Sequence, residues 1–332
     1  MTNLYPLKFK PIIKERIWGG TRLISHYNKK SLPGTKVGES WELSAIQSDK
    51  SVVSNGFLEG NTIEEIIEVY MGDLVGDSVY EKFGHEFPLL IKLIDAQDYL
   101  SIQVHPDDEL ARIRHNAHGK TEMWYVIESS PNAIIYSGFR KDTNKEEFTR
   151  LLKSGNLKEM LISDNPEPGD GFFIPAGRVH SMGGGLLVAE VQQTSDVTYR
   201  IFDWERMGPD GMPRELHADL AIDAIDFKGA QPGRIRRGKS NNAPVVLVES
   251  RYFNASIIEV NKKLERDYSL TDSFVILLCT AGSYKLSSDD FSDEVGKGET
   301  VLIPALIDSV SIEPDDSATI LEVYLETNTD YE

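Results

Sequence analysis

One segment of this chain is written twice. Residues 169–191 read GDGFFIPAGRVHSMGGGLLVAEV, and residues 296–323 read GKGETVLIPALIDSVSIEPDDSATILEV. Both run Gly-x-Gly, an apolar pair, Ile-Pro-Ala, a short gap and an apolar strand that closes on Glu-Val. An internal repeat limits the fold more than composition does, because what the first copy builds the second must also build. The unit is a Gly turn, a strand, a Pro turn and a second strand, so its product is β structure. The copies differ in one chemical respect. The first carries His180, and the corresponding stretch of the second, ALIDSVSI, has no histidine. A bound metal would therefore belong to the first copy.

The rest of the chain agrees with strands. Residues 7–58 alternate β-prone runs with the turn signals Trp18-Gly19-Gly20, Leu32-Pro33-Gly34 and Asn55-Gly56. From Phe87 onward, PLLIKLIDA, YLSIQVHP, MWYVIES and NAIIYSGF follow one another at the short spacing of a barrel or sandwich. Two interruptions have helical spacing: about 60–86, with Ile63, Ile66, Ile67 and Tyr70 as one stripe, and 144–162, where a Gly-Asn break separates two short helices. The repeated unit resembles the second half of a cupin barrel. That resemblance implies a mostly β protein of two cupin (jelly-roll) barrels with short helices packed outside, the second barrel degenerate. The expected domains are a catalytic one over 1–232, containing both helical interruptions, and a C-terminal one over 243–332. Residues 213–242 connect them, and their basic run Arg234-Ile235-Arg236-Arg237 reads as a solvated loop.

Charge and cysteine usage exclude several functions. Thirty-five basic against 53 acidic residues give a formal charge of -18, a field that opposes non-specific binding to nucleic acid or anionic lipid. The one cysteine, Cys279, lies in the apolar run FVILLC and reads as a buried thiol in a reducing compartment. The first residues lack the apolar core of a signal peptide, and no run approaches the roughly 18 apolar residues of a membrane span. A cytoplasmic protein is expected, with no nucleic acid, membrane or obligatory protein partner.

The chemistry concentrates in the first copy. In a strand, residues i and i+2 share a face, so Ser101, Gln103 and His105 of SIQVHP stand opposite Ile102 and Val104. By the same period Lys120 and Glu122 share a face, and His180 follows the Pro-Gly turn. Gln103, His105, Glu122 and His180 together offer two imidazole nitrogens and two oxygens, a set suited to a borderline divalent ion with an open position. Lys92 interrupts the apolar run LLIKLI, where an unpaired ammonium would be costly to bury. Arg200 is read either as a functional guanidinium or as the partner of Asp203 or Glu190. Trp18 and Trp41 are pocket-mouth or core aromatics, and Glu42 is a pocket or a surface charge.

The segments Trp18-Gly19-Gly20, Gly38-Glu39-Ser40-Trp41-Glu42, Lys92-Leu93-Ile94-Asp95-Ala96, Ser101 through Asp107, Gly119-Lys120-Thr121-Glu122, Ile174 through His180, and Gln192 through Trp204 resemble type I mannose-6-phosphate isomerases in their compact bacterial form. The resemblance implies a metal-dependent aldose-ketose isomerase that interconverts mannose 6-phosphate and fructose 6-phosphate through an enediolate. It implies one divalent ion, Zn2+ before others, on Gln103, His105, Glu122 and His180. It places the substrate phosphate near Ser101, Lys92 and Lys120, and catalytic action at Arg200. The rival readings are another cupin metalloenzyme, such as a different sugar-phosphate isomerase or an oxygenase, and a non-catalytic sugar-binding cupin.

Overall fold

The computed structural model describes residues 4–326 apart from 33, 209, 232, 237, 239 and 289–290. Pro33 of the second turn signal, Pro232 at the expected domain edge and Arg237 of the basic run lie outside the described residues. The chain divides into two compact units, one of Met1–Ile12, Trp41–Leu90 and Gly238–Glu332, the other of Ile13–Ser40 and Ile91–Arg237. Both are predominantly antiparallel β. Among the described residues no helix is long and apolar enough to cross a membrane.

The unit containing Ile91–Arg237 is built on two sheets. The five-stranded sheet runs in the order Leu161–Asp164, Ile135–Phe139, His180–Met182, Ile102–Val104, Tyr199–Phe202. The larger sheet places Gly171–Ile174, Glu122–Ser129, Leu186–Gln193 and Leu89–Ala96 side by side. Trp124, Val126, Phe172, Ile174, Val188 and Ile94 from the larger sheet pack against Ile135 and Met182 from the smaller one, so an apolar core lies between them. The strand period explains the other face of the smaller sheet. Ile102 and Val104, alternating with Gln103, join Phe148, Leu157, Met160 and Ala221 in a second cluster. Those four come from the helix Lys145–Lys153, the 3-10 turn Leu157–Met160 and the helix Ala218–Ala224, so the short helices cover this sheet from outside. The Gly-Asn break appears as Gly155 at φ +75.

Trp18, at 4% exposure, belongs to the core between the sheets, and Trp41 is buried as well. Glu42 is also buried, which removes its surface-charge reading. The basic run is not wholly a solvated loop: Arg234–Ile235 is a strand paired with Gly171–Ile174, and Arg234 Nη2 bonds Asp170 at 2.6 Å. The loop expectation fails there because the Asp170 carboxylate, inside the repeat, recruits Arg234 into the sheet.

The other unit holds an eight-stranded sheet dominated by Val275–Ser288 and Ser309–Tyr324. Bulges near Cys279 and Gly282 bend the first of these long strands where it pairs with the second. The helices Ile63–Tyr70, Gly72–Val75 and Asp77–Phe83 belong to this unit. Thr62 and Glu65 form a capping box on the first, and Asp272 accepts from Asp77 N and Ser78 N at the start of the third. The core of this unit is apolar, with Tyr284, Leu277, Val301 and Ile320 among its members. Cys279 is buried in it as expected, and burial pushes the thiol up to about 12.

Candidate functional site

Antiparallel register builds one side of the site. His180 pairs with Gln103, and Gln103 pairs with Arg200 on its other flank. Residues directly opposite one another across a ladder share a face, so His180, Gln103 and Arg200 form a row across three strands, facing away from the Ile102 and Val104 side. Glu122 starts the strand Glu122–Ser129 of the larger sheet, paired with Ile174 and Gln192. His105 follows directly after the strand Ile102–Val104.

These elements bring His105, Glu122 and His180 together, with one donor atom from each within 4.8 Å of the others. All three are buried, Glu122 at 0% exposure. Glu122 Oε2 lies 3.4 Å from His105 Nε2, and Oε1 lies 3.3 Å from His180 Nε2. The far side of each ring is fixed: His105 Nδ1 is 3.0 Å from the Val197 carbonyl and His180 Nδ1 is 2.8 Å from the Arg178 carbonyl. A carbonyl only accepts, so each Nδ1 carries the proton and each Nε2 turns a lone pair toward Glu122. Burial drives His105 down to about 3, the Lys120 charge adding to it. His180 is lowered by burial against the opposing pull of Glu122. Burial alone would raise Glu122, but Lys120 and the imidazoles hold it well below the usual carboxylate range. Neutral imidazoles and an ionised carboxylate are the protonation states that metal binding requires.

Bonds of about 2.0–2.2 Å in a tetrahedral site put neighbouring donors about 3.3–3.6 Å apart. Glu122 lies at that distance from each ring, through Oε2 for His105 and Oε1 for His180, so the three side chains are close enough to share one divalent ion. Both Glu122 oxygens lack a well-directed hydrogen bond although they are fully buried; Oε2 has the Lys120 ammonium as its ion-pair partner, and Oε1 is the oxygen left for a bound cation. Lys120 Nζ is close, 2.9 Å from Glu122 Oε2 and 3.2 Å from His105 Nε2.

The remaining expected site residues fall in different places. Gln103 turns its amide nitrogen to His180 Nε2 at 3.2 Å, while its oxygen accepts from the Ser101 hydroxyl at 3.2 Å. As a ligand it would act through the oxygen, after its amide turned end for end. Lys92 is buried and salt-bridged to Glu190 at 2.8 Å, and it also bonds Gln192. Glu190 accepts from Trp124 Nε1 at 2.8 Å. The second copy of the repeat has the same device at its matching glutamate: Glu322 meets Arg266 at 2.8 Å and the Tyr268 hydroxyl at 2.7 Å. In each unit one cation and one aromatic donor neutralise the buried carboxylate of the repeat. Lys92→Met is therefore expected to destabilise the protein by about 3–5 kcal/mol, because Glu190 would stay buried without its cation. Urea unfolding measures this, and a loss under about 1 kcal/mol would mean that the pair does not stabilise the fold.

Arg200 pairs with neither of its suggested acids. Glu190 is engaged by Lys92 and Trp124, and Asp203 by Arg206 and Arg214. Arg200 Nη1 instead donates to the Glu215 carbonyl at 2.8 Å, and its buried Nε has no hydrogen bond. Burial, with Arg214 beside it, lowers the guanidinium from its ordinary value. The sequence reading missed Arg206 and Arg214. Their only local signal is basic residues shortly after the Tyr199-Arg200 strand, and neither shows from spacing that it meets Asp203.

Residues 6–129 match the model of the phosphomannose isomerase type I catalytic domain. Mannose-6-phosphate isomerase ManA of Bacillus subtilis is 36% identical over 309 residues, covering 90% of this chain and 93% of that one. The mannose-6-phosphate isomerase of Streptococcus mutans is 31% identical, covering 93% and 96%. Among solved structures, the mannose 6-phosphate isomerase of Bacillus subtilis superposes with a TM-score of 0.83 at 32% identity, covering 96% of this chain and 99% of the other. A phosphomannose isomerase mutant from Salmonella typhimurium, at 18% identity and a TM-score of 0.76, shares the fold.

Proposed function

We propose that this chain, which belongs to the type I mannose-6-phosphate isomerase family, interconverts mannose 6-phosphate and fructose 6-phosphate through an enediolate at the His105, Glu122 and His180 centre. The observation that carries the reading is the convergence of the fully buried His105, Glu122 and His180, with one donor atom of each within 4.8 Å of the others and the Nε2 of each ring facing the Glu122 carboxylate.

Moving the carbonyl between C1 and C2 takes a proton from the carbon beside it and develops negative charge on two oxygens. His105, Glu122 and His180, with Gln103 as a fourth donor, would hold one divalent ion, Zn2+ before others. When bound, that ion supplies Lewis-acid polarisation and orientation of the sugar oxygens. Arg200, in the same cross-strand row, faces the developing enediolate with a guanidinium whose Nη1 is held by the Glu215 carbonyl. Ser101, Lys92 and Lys120 take the phosphate end, Lys120 already lying against Glu122 and Lys92 against Glu190. Each lysine is already paired with a buried carboxylate, Lys92 with Glu190 and Lys120 with Glu122, so a dianionic substrate would share their ammonium groups with those carboxylates. We read the two units as two cupin barrels, the catalytic one formed by Ile13–Ser40 and Ile91–Arg237, which holds His105, Glu122 and His180, and the other by Gly238–Glu332 with Met1–Ile12 and Trp41–Leu90, rather than as consecutive stretches over 1–232 and 243–332. A cytoplasmic location suits the single buried thiol.

A coupled isomerase assay before and after chelation tests the function. Turnover of mannose 6-phosphate is expected to vanish with chelator and to return with Zn2+ or a similar divalent ion. Turnover that persists in protein shown to be metal-free would defeat the proposal.

A further inference from the structure

Trp204 and Glu205 both sit at φ +56, so two adjacent non-glycine residues occupy the left-handed region. Each position costs about 1–2 kcal/mol, and such a turn persists only where its surroundings over-determine it. The residue that does so is Asp203, 5% exposed. Its Oδ1 accepts from Arg206 Nη2 at 2.7 Å and its Oδ2 from Arg214 Nε at 2.6 Å, with Arg214 Nη2 also on Oδ1. Arg206 opens an excursion of the chain and Arg214 closes it. Its neck is a bridge between Met207 and Pro213, and Gly208 N donates to the Met212 carbonyl at 2.7 Å. Trp204 fastens the same turn to the segment just before the strand Ile102–Val104, with Nε1 on the Leu100 carbonyl at 2.7 Å and its ring 4.7 Å from that of Tyr99.

The chain leaving Arg214 returns at once to Arg200. The Glu215 carbonyl accepts from Arg200 Nη1 at 2.8 Å, His217 N donates to the Arg200 carbonyl at 2.7 Å, and Arg200 N donates to His217 Nδ1 at 3.1 Å. The anchors of Arg200 therefore come from the stretch that Asp203 ties down. Asp203 itself spends its carboxylate on the other two arginines.

We propose that Asp203 is a positioning residue for Arg200, acting through Arg206 and Arg214 to fix the segment whose Glu215 carbonyl aims the guanidinium. This rests on the reading of Arg200 as the group that faces the enediolate. Asp203→Asn keeps the shape, removes the charge and turns an amide toward a guanidinium. A displaced catalytic group of this kind costs roughly 10–100-fold in kcat. The KM for mannose 6-phosphate should stay within about twofold, since the loss falls on the transition state. Metal content should be unchanged, and amide exchange over 210–217 should quicken.

A double-variant cycle gives the decision. If Asp203 works through Arg200, Asp203→Asn combined with Arg200→Lys turns over no more slowly than Arg200→Lys alone. Multiplying losses, or Asp203→Asn with wild-type kcat and exchange, would overturn the inference while leaving Arg200 in its role. Arg200→Lys with wild-type kcat would overturn both. Should Asp203→Asn fail to fold, Arg214→Gln cuts the same tether at one end and is expected to lose kcat in the same direction, again without multiplying the Arg200→Lys loss; multiplication there overturns the proposal equally.

Discussion

Replacing His105 with alanine, or Glu122 with glutamine, is expected to remove both the bound divalent ion and turnover from a chain that still folds. Lewis-acid stabilisation of developing charge is worth several kcal/mol, so losing it should lower kcat/KM by about 10³-fold or more. The fold should survive because the apolar core between the sheets, with Trp124, Phe172 and Val188, does not include these side chains. The choice of substitution matters at Glu122. Lys120 Nζ lies 2.9 Å from its Oε2, and truncation to alanine would leave that ammonium buried without its carboxylate, at a cost of about 3–5 kcal/mol. Glutamine also removes the charge but keeps an oxygen acceptor for that ammonium, so its structural cost is smaller than that of alanine and thermal unfolding reads it separately from the loss of metal. Elemental analysis of the purified variants, a coupled isomerase assay and thermal unfolding make the measurement. Full metal occupancy together with undiminished turnover in either variant would refute the centre.

Half of this centre is legible from the strand period alone. Ile102 and Val104 face one way because apolar side chains seek the helix-covered side of the sheet, and that commits Gln103 to the row of His180 and Arg200. His180 is legible for another reason: it breaks the match between two copies of one unit. The partners of the cations are not legible in the same way. Lys92 lies 98 residues from Glu190, and nothing local chooses that carboxylate over the many others in an acidic chain. An ammonium inside LLIKLI demands a partner, but strand order decides which one. The Asp203 tether is hidden for a related reason, since it depends on left-handed conformations at Trp204 and Glu205, two residue types with no preference for that region. The grouping of Trp41–Leu90 with Gly238–Glu332 is likewise a long-range matter, because the same capped helix pattern would suit either unit.

Arg200→Lys is expected to lower kcat by about 10²–10³-fold, the usual cost of removing a preorganised donor from developing negative charge, with the ion retained and KM for mannose 6-phosphate little changed. Lysine keeps the charge, so a role in attracting the dianionic substrate would survive the substitution and show as preserved kcat. A role in stabilising the enediolate would not survive it. The planar fork lets one nitrogen rest on the Glu215 carbonyl at 2.8 Å while the others remain fixed in direction, whereas an ammonium on a flexible stem must spend its donors on whichever acceptor is nearest. The nearest acceptor would be that same carbonyl, drawing the charge away from the Gln103 row. Steady-state kinetics in both directions, read beside metal content, separate these outcomes. A kcat within about twofold of the parent enzyme would place Arg200 among the groups that merely bind substrate equally in ground and transition states, and the enediolate would then need another cation to face.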